Sequence, residues 1–334
     1  MKHVRHISGW LGSCFLAVVC LLNGPAAAQT CFTGADVDAP LRSSIERAAQ
    51  QYLGMAQRGD SAGLRSSAIP SLASNFAAIE SAVAEHLKDL QGQSTISGFF
   101  VLDASFSSGT LPRAEFDCGI FNSPGRVIFV IPNLPAGRYA VVTESMSSGN
   151  TPANLTFVLQ QAGSNWQVAG LTISPQSIGG HDSNWYWTQA RSYRQGGANM
   201  AAYLYYLEAW NLAAPVTFQY TAARDKIADE MQAAQPANLP SPQSPLTLTA
   251  PGKTYRITNI FAEAAGNDLD IIVKYQALSD LSNTAAAFAD NTAVIKALLA
   301  QYPELRNAFA AVVARAVAPN GKDYGTILAM KDVK

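Results

Sequence analysis

Apolar residues near the start of the chain recur at helical spacing, and the pattern then changes. We predict helices over residues 41–57 and 72–90, because in each segment the apolar side chains fall on one face, three and four residues apart. After residue 91 the chain reads as short β-rich runs bounded by Gly, Pro, Asn and Ser. The predicted strands are residues 96–106, 127–131, 138–146, 154–161 and 166–173. This order predicts an α+β unit whose helices pack on one face of a curved antiparallel sheet.

The strand pattern ends at residues 177–180, which contain two glycines, and we place a domain boundary there. A helical segment follows. Three helical patterns occur in it, and Asp182 or Ser183 is placed to cap the first while Thr221 is placed to cap the third. The helix-Gly-Gly-helix-Pro arrangement is similar to a single tetratricopeptide unit, but a stable solenoid needs roughly three or more such units. We therefore predict a helical hairpin module over residues 179–235 and not a repeat array.

A Pro-rich stretch over residues 236–252 reads as an extended linker. The chain after it, residues 253–334, has the pattern of a small C-terminal α+β domain. Its predicted elements are a hairpin (residues 254–262 and 269–276), two helices (residues 284–301 and 303–317) and a last strand (residues 326–330).

The N-terminus has the parts of a secretory signal peptide in their usual order. Lys2 and Arg5 precede an apolar run over residues 10–22, which ends at a Gly-Pro pair and three alanines. The run is too short to span a bilayer, which needs about 20 residues. We predict removal of residues 1–28, export to a periplasm or to the outside of the cell, and no integral membrane segment after cleavage.

Two of the four cysteines, Cys31 and Cys118, remain after that cleavage. In an oxidising compartment two cysteines allow a single pairing. We predict a Cys31–Cys118 disulfide that acts as a structural staple, because no Cys-x-x-Cys spacing marks a redox pair.

Charge and composition exclude one class of partner. The chain carries 23 Lys and Arg against 24 Asp and Glu, so its net charge of −1 offers no attraction for nucleic acid. With 48% apolar and 14% charged residues, the chain is suited to packed cores and not to disorder. Nucleic acid is therefore not a predicted partner.

The opening helix and the closing hairpin of the first domain, residues 29–178, resemble a known fold. The segments AAQQYLGMAQRGDSAGLRSSAIP and LTFVLQQAGSNWQVAGLTISP look like the nuclear transport factor 2-like fold, over residues 41–175. This cone-shaped class includes the ketosteroid isomerases, and the resemblance implies an apolar pocket that can hold an acidic base and a hydrogen-bonding tyrosine. The whole three-part layout is also similar to uncharacterised exported bacterial proteins, which implies no activity.

Glu144 and Asp103 are the candidate acids for such a pocket. On the strand over residues 138–146, Glu144 and Tyr139 point to opposite faces, so they cannot both line one pocket from that strand. Asp103 lies on the strand over residues 96–106. No position matches the catalytic pattern of the enzyme family residue by residue, so no catalytic residue is assigned.

The two histidines outside the signal peptide give no catalytic site. His86 lies on a helix opposite its apolar face, and we expect it to face solvent. His181, Asp182 and Ser183 are adjacent, and adjacent side chains do not converge as a catalytic triad does. We read them as a loop that leads into a helix cap.

The remaining acids do not form a metal site. Asp268, Asp270 and Asp280 lack the spacing, the glycine and the closing glutamate of a calcium loop. We predict turn and surface roles for them, with no metal ion and no cofactor.

Aromatic residues are concentrated between positions 185 and 220, where ten of them occur. We predict a ligand-binding surface made of Trp187, Tyr203, Tyr205, Tyr206 and Trp210. Tyr203, Tyr206 and Trp210 share one helical stripe, whereas Tyr205 lies off it and is expected to be exposed. The alternative is a hydrophobic core between small helices, because aromatic stripes usually pack inward.

Three functions follow from these patterns. We predict an exported, non-enzymatic binding or interaction protein whose unknown ligand is a protein, a peptide or a small molecule. The first alternative is an enzyme that acts on a small hydrophobic substrate in the N-terminal cone, with Asp103 or Glu144 as its acid. The second alternative is a purely structural envelope protein.

Overall fold

The computed structural model describes residues 29–147, 151–250, 252–278 and 280–334. It shows a mixed α+β protein with several antiparallel sheets. The predicted signal peptide lies outside the described residues. No helix within these ranges is long and apolar enough to cross a membrane.

The N-terminal part begins with a short strand and a set of helices. They are β1 (Thr30–Thr33), α1 (Ala39–Gln57), α2 (Ser61–Ser66), α3 (Pro70–Ala73) and α4 (Ala77–Glu85). Asp38 caps α1 by accepting a hydrogen bond from the Leu41 amide, and α1 buries Ile45 and Leu53 in the core. The predicted helix over residues 41–57 is confirmed.

The prediction of one helix over residues 72–90 is wrong. This segment is divided between α3 and α4, with a turn at residues 74–76. The Ser74 hydroxyl and the Asn75 amide both donate to the Ser71 carbonyl, at 3.0 and 3.3 Å. These side-chain bonds compete with helical backbone bonds, which explains the break in an otherwise helical apolar pattern.

Six strands follow, and with β1 they form one complete sheet and most of another. They are β2 (Ser94–Asp103), β3 (Leu111–Cys118), β4 (Val127–Leu134), β5 (Arg138–Met146), β6 (Ala153–Ala162) and β7 (Asn165–Pro175). The larger sheet has the order β1-β2-β5-β6-β7 and is antiparallel throughout. Helices α1, α2 and α4 pack on one face of this sheet and share an apolar cluster with it. A second apolar cluster fills the space between the other face of the sheet and strands β3 and β4.

The sequence pattern did not predict β3. Its residues alternate between buried and exposed, but the stretch carries Pro112 and the charged Arg113, Glu115 and Asp117, which obscure the apolar signal. The five predicted strands are all observed, with ends shifted by a few residues.

The next segment contains the three predicted helices and one further strand. They are α5 (Ser183–Gln195), α6 (Asn199–Leu212), β8 (Gln219–Thr221) and α7 (Ala222–Ala234). Asp182 caps α5 and Thr221 caps α7, and their side chains accept hydrogen bonds from the Trp185 and Arg224 amides. β8 pairs with β4, so this segment adds a strand to the N-terminal part.

The C-terminal part is a five-stranded sheet with a long helix on one face. Its elements are β9 (Leu246–Ala250), β10 (Lys253–Ala265), β11 (Asp268–Gln276), α8 (Thr284–Gln301), α9 (Leu305–Ala308), β12 (Ala311–Val317) and β13 (Asp323–Ala329). The strand order is β13-β12-β11-β10-β9, in which only β11 and β12 are parallel. The Pro-rich stretch predicted as a linker therefore ends in β9, an edge strand of this sheet.

The predicted helix over residues 303–317 is wrong beyond α9. Residues 311–317 form β12, which lies between β11 and β13. The alanines of the run AVVARAV suit a helix, but its alternating burial places Val312 and Ala314 in the cluster under α8. Pairing with two neighbouring strands outweighs the preference of these alanines for a helix.

One covalent bond lies within the N-terminal part, and apolar packing joins the helical segment to the C-terminal sheet. The Cys31–Cys118 disulfide is present as predicted and ties β1 to β3. Such a bond is typical of an oxidising compartment. Helices α5–α7 share one hydrophobic cluster with the C-terminal sheet.

Candidate functional site

The five aromatic residues predicted as a ligand surface do not form one exposed patch. Tyr205 and Tyr206 are buried, whereas Trp187, Tyr203 and Trp210 are half-buried. Burial raises the pKa of the Tyr203 phenol.

The expectation that Tyr205 is exposed is wrong, because only 5% of its surface is accessible. Its position off the stripe turns it toward α9, where its hydroxyl donates to the Ala308 carbonyl at 2.5 Å. The rings of Tyr193 and Phe309 pack against it edge-on. Tyr205 therefore holds α6 against the C-terminal part.

Trp187 and Tyr206 contact Glu230 of α7. The Trp187 indole donates to Glu230 Oε2 at 2.9 Å, and the Tyr206 hydroxyl donates to the same oxygen at 3.2 Å. Arg191 donates to both carboxylate oxygens at 2.8 and 2.7 Å, and its guanidinium lies 4.0 Å from the Trp187 ring centroid. Hydrogen bonds from Arg191, and then from Trp187, outweigh burial and lower the pKa of Glu230 to about 2. These polar groups satisfy one another across three helices.

Trp210 covers a buried arginine. The Arg224 guanidinium lies 3.8 Å from the centroid of the Trp210 ring and 5.5 Å from that of Tyr220. Its Nη1 donates to the backbone carbonyls of Val216, Thr217 and Gln219. Burial lowers the pKa of Arg224. Most of the predicted rings thus take part in internal packing, and their role in ligand binding stays a prediction.

An open cavity lies where the β3–β4 turn meets the start of α7. We call it the hairpin-tip cavity, and its volume is about 550 Å³. Its lining includes Pro124, Arg126, Ile128, Tyr220, Ala222 and Asp225. The β4–β8 register, in which Ile128 pairs with Tyr220, brings the hairpin beside the first turn of α7 and so creates the cavity.

Two exposed apolar side chains lie at the same hairpin tip. Ile120 is 78% and Phe121 is 70% exposed. Arg126 lies 4.9 Å from the Phe121 ring centroid and forms an ion pair with Asp117, with Nη2 and Oδ2 2.6 Å apart. Arg126 is therefore held beside both the ring and the cavity.

The chemistry of the cavity suits binding. Pro124, Ile128, Tyr220 and Ala222 supply apolar surface, and Asp225 adds a carboxylate at one side. Its lining residues include neither histidine nor cysteine. The arrangement can hold an apolar group, with a polar group beside Asp225 and Arg126.

The sequence pattern does not point to this cavity, because the aromatic residues of α5 and α6 give the stronger signal. A weaker signal was available at Ile120 and Phe121, which stand between Gly119 and the turn residues Asn-Ser-Pro-Gly. An apolar pair inside a turn has no strand or helix to carry it into a core.

The two candidate acids lie in different surroundings. Glu144 is completely buried; its Oε1 accepts a hydrogen bond from Gln50 at 3.0 Å, and its Oε2 has no partner among the described residues. Burial raises the pKa of Glu144 against the smaller opposing effects of Ser94 and Gln50. Tyr139 lies on the other face of β5, as predicted, in the cluster against β3 and β4.

Asp103 is engaged in an ion pair. Its Oδ2 accepts hydrogen bonds from Arg138 at 2.9 and 2.8 Å, and its Oδ1 accepts one from the Ser105 hydroxyl. Burial raises the pKa of Asp103, but the Ser105 and Arg138 hydrogen bonds together outweigh it and hold the pKa below its usual value. Neither Asp103 nor Glu144 lines the hairpin-tip cavity.

The histidines are part of the surface and of the packing. His86 is half-buried, and its Nδ1 lies 3.1 Å from Asp89 Oδ2. His181 stacks on Trp185 with ring centroids 3.6 Å apart. The Ser183 hydroxyl donates to the Ala209 carbonyl, so His181, Asp182 and Ser183 form a helix start and not a triad.

The described residues contain no group of three or more His, Cys, Asp and Glu side chains that could hold a metal ion. Asp270 is buried, and burial raises the pKa of its carboxyl. Asp280 accepts hydrogen bonds from the amide and hydroxyl of Ser282 at an exposed turn.

Comparison with known proteins gives no relative from which a function could be carried over. No family model, no curated protein and no solved structure matches the chain significantly.

Proposed function

We propose that this chain is an exported binding protein and that its ligand-binding surface is the hairpin-tip cavity together with Ile120 and Phe121. The observation that carries the proposal is an open cavity of about 550 Å³ beside two apolar side chains that are 70–78% exposed. Exposed apolar surface next to a concave site is typical of ligand and partner binding.

A partner protein or peptide fits this surface better than a free small molecule. A small molecule would fill the cavity but leave Ile120 and Phe121 in water. A partner that inserts one apolar side chain can cover both residues as well, which removes more apolar surface from water. Asp225 and Arg126 both line the cavity, and they add a preference for a neighbouring hydrogen-bonding group.

Filling the cavity tests the proposal. Ala222 is exposed and lines the cavity, whereas the adjacent Ala223 is exposed and does not. We expect the neutral fluorescent dye Nile red to bind the wild-type chain saturably and Ala222→Trp to weaken that binding by about tenfold or more. The matched variant Ala223→Trp should bind like the wild type. Dye binding that both variants lose equally, or that neither changes, would contradict the proposal.

A further inference from the structure

The C-terminal sheet buries one face under α8 and leaves the other open. Val273 and Val312 belong to the hydrophobic cluster that includes α8. The preceding residue of β11, Ile272, and the following residue of β12, Val313, point the opposite way and belong to none of the three hydrophobic clusters in the described chain. We call this second side the open face.

Four apolar side chains form one row across the open face. Phe261 pairs with Ile272, Ile272 with Val313, and Val313 with Ile327, so the row crosses β10, β11, β12 and β13. Exposure is greatest at the edge: Ile327 is 59% exposed, Phe261 and Val313 are half-buried, and Ile272 is only 4% exposed. Strands lie about 4.8 Å apart, so the row is roughly 14 Å long. A solvated sheet face normally carries polar residues at such positions.

Charged residues flank this row, acidic on one side and basic on the other. Glu263 and Asp270 are register partners two residues from the row; Glu263 is exposed, whereas Asp270 is buried. Lys274 and Arg315 are register partners two residues from the row in the opposite direction. Arg315 pairs with Asp323, whereas Lys274 forms no ion pair within the described chain and lies 5.3 Å from the Phe261 ring centroid.

We propose that the open face binds the open face of a second copy of this chain, around a two-fold axis that runs along the apolar row. That axis places the row of one copy on the row of the other, and it reverses the strand direction. The acidic side of each copy then faces the basic side of its partner, so the charges are complementary in both halves of the interface.

The charges also exclude the other symmetric way of stacking the two faces. A two-fold axis along the strands would place the side that carries Glu263 against the same side of the second copy, and the side that carries Lys274 against its own equivalent. Repulsion between like charges disfavours that arrangement. The area is that of a single sheet face, below the roughly 800 Å² per partner of a standard interface, so the dimer should dissociate on dilution.

Sedimentation velocity on the purified chain, with its disulfide formed, tests this proposal. We expect the wild type to shift from monomer to dimer over roughly a hundredfold rise in concentration. Ile327→Asp should be monomeric throughout that range. Lys274→Glu should weaken the dimer by about tenfold or more, and adding Glu263→Lys to Lys274→Glu should restore at least part of the loss. Lys296→Glu changes an exposed lysine on α8 and should leave the dimer unchanged.

The outcomes separate the proposal from other forms of association. A wild type that stays monomeric overturns the proposal, and so does a dimer that survives both Ile327→Asp and Lys274→Glu. Loss of the dimer in Lys274→Glu without any recovery in the charge swap overturns the orientation of the axis. Circular dichroism of each variant establishes that it is folded, and Lys274→Glu provides the test if Ile327→Asp is not.

Discussion

Glu144, Glu208 and Arg224 are buried charged residues, and the protein compensates them to different degrees. Arg224 donates from Nη1 to backbone carbonyls and stacks on Trp210, which offsets part of its desolvation, while its buried Nε has no partner among the described residues. Glu144 Oε1 accepts a hydrogen bond from the Gln50 side-chain amide, and burial raises the pKa of this carboxyl. Burial raises the pKa of Glu208 on α6 to about 7, against a smaller opposing effect of the Asn211 side chain. The two glutamates are therefore the more costly to keep ionised.

Glu208 predicts a dependence of stability on pH. Its folded-state pKa of about 7 lies above the unfolded value of about 4.3, so the folded state binds the proton more tightly and loses stability as pH rises between the two values. A shift of this size corresponds to roughly 4 kcal/mol at full effect. The uncharged Glu208→Gln should therefore gain stability over the wild type at pH values above 7 and match it near pH 4.

Urea unfolding of both proteins across this pH range measures that difference. Glu85→Gln replaces an exposed glutamate of α4 and serves as the control. If the free energy of unfolding of Glu208→Gln followed the wild-type pH dependence in parallel, Glu208 would not be the titrating group.

Helices and strands that are determined by their own local sequence pattern could be predicted correctly. α1, α5, α7 and α8 begin at residues whose side chains cap them, and α6 lies between Gly197 and Pro215; all five occur where predicted. β3 was missed because charged residues interrupt it, and residues 311–317 were misread because pairing with β11 and β13 makes them a strand. Long-range pairing of this kind leaves no signal within the segment itself.

The candidate site depends even more on long-range contacts. The hairpin-tip cavity exists because Ile128 of β4 pairs with Tyr220 of β8, more than 90 positions later in the chain. The sequence shows the high density of aromatic residues in α5 and α6. It does not show that these rings contact Glu230, Arg224 and α9. Ile120 and Phe121 were the accessible signal for the cavity.

The start of α5 gives a prediction about an element. Asp182 Oδ1 accepts a hydrogen bond from the Trp185 amide at 2.8 Å, which satisfies a donor that the helix itself cannot pair. Asp182→Ala should lower the free energy of unfolding by about 1 kcal/mol. Asp182→Asn keeps an oxygen acceptor and should cost only a few tenths of that amount. Urea denaturation compares the three proteins, and equal losses in both variants would show that the cap is not the cause.

In the whole molecule, the hairpin-tip cavity lies between two elements that are each held in place, one by a disulfide and one by strand pairing. The disulfide fixes β3 to β1 at Cys118, directly before the hairpin tip, and β8 fixes the start of α7 to β4. The cavity is therefore preformed between two anchored elements, which lowers the entropic cost of binding. The open face of the C-terminal sheet shares no residue with it, so ligand binding and self-association can be tested independently.

The central claim is that the hairpin-tip cavity binds apolar groups, and an indole titration followed by two-dimensional amide NMR tests it most directly. Indole is neutral and has the size of one aromatic side chain. We expect saturable shifts confined to residues 119–128 and 219–225, and we expect them to be lost in Ala222→Trp. Shifts centred on Tyr203 and Trp210, or no saturable shift at all, would contradict it.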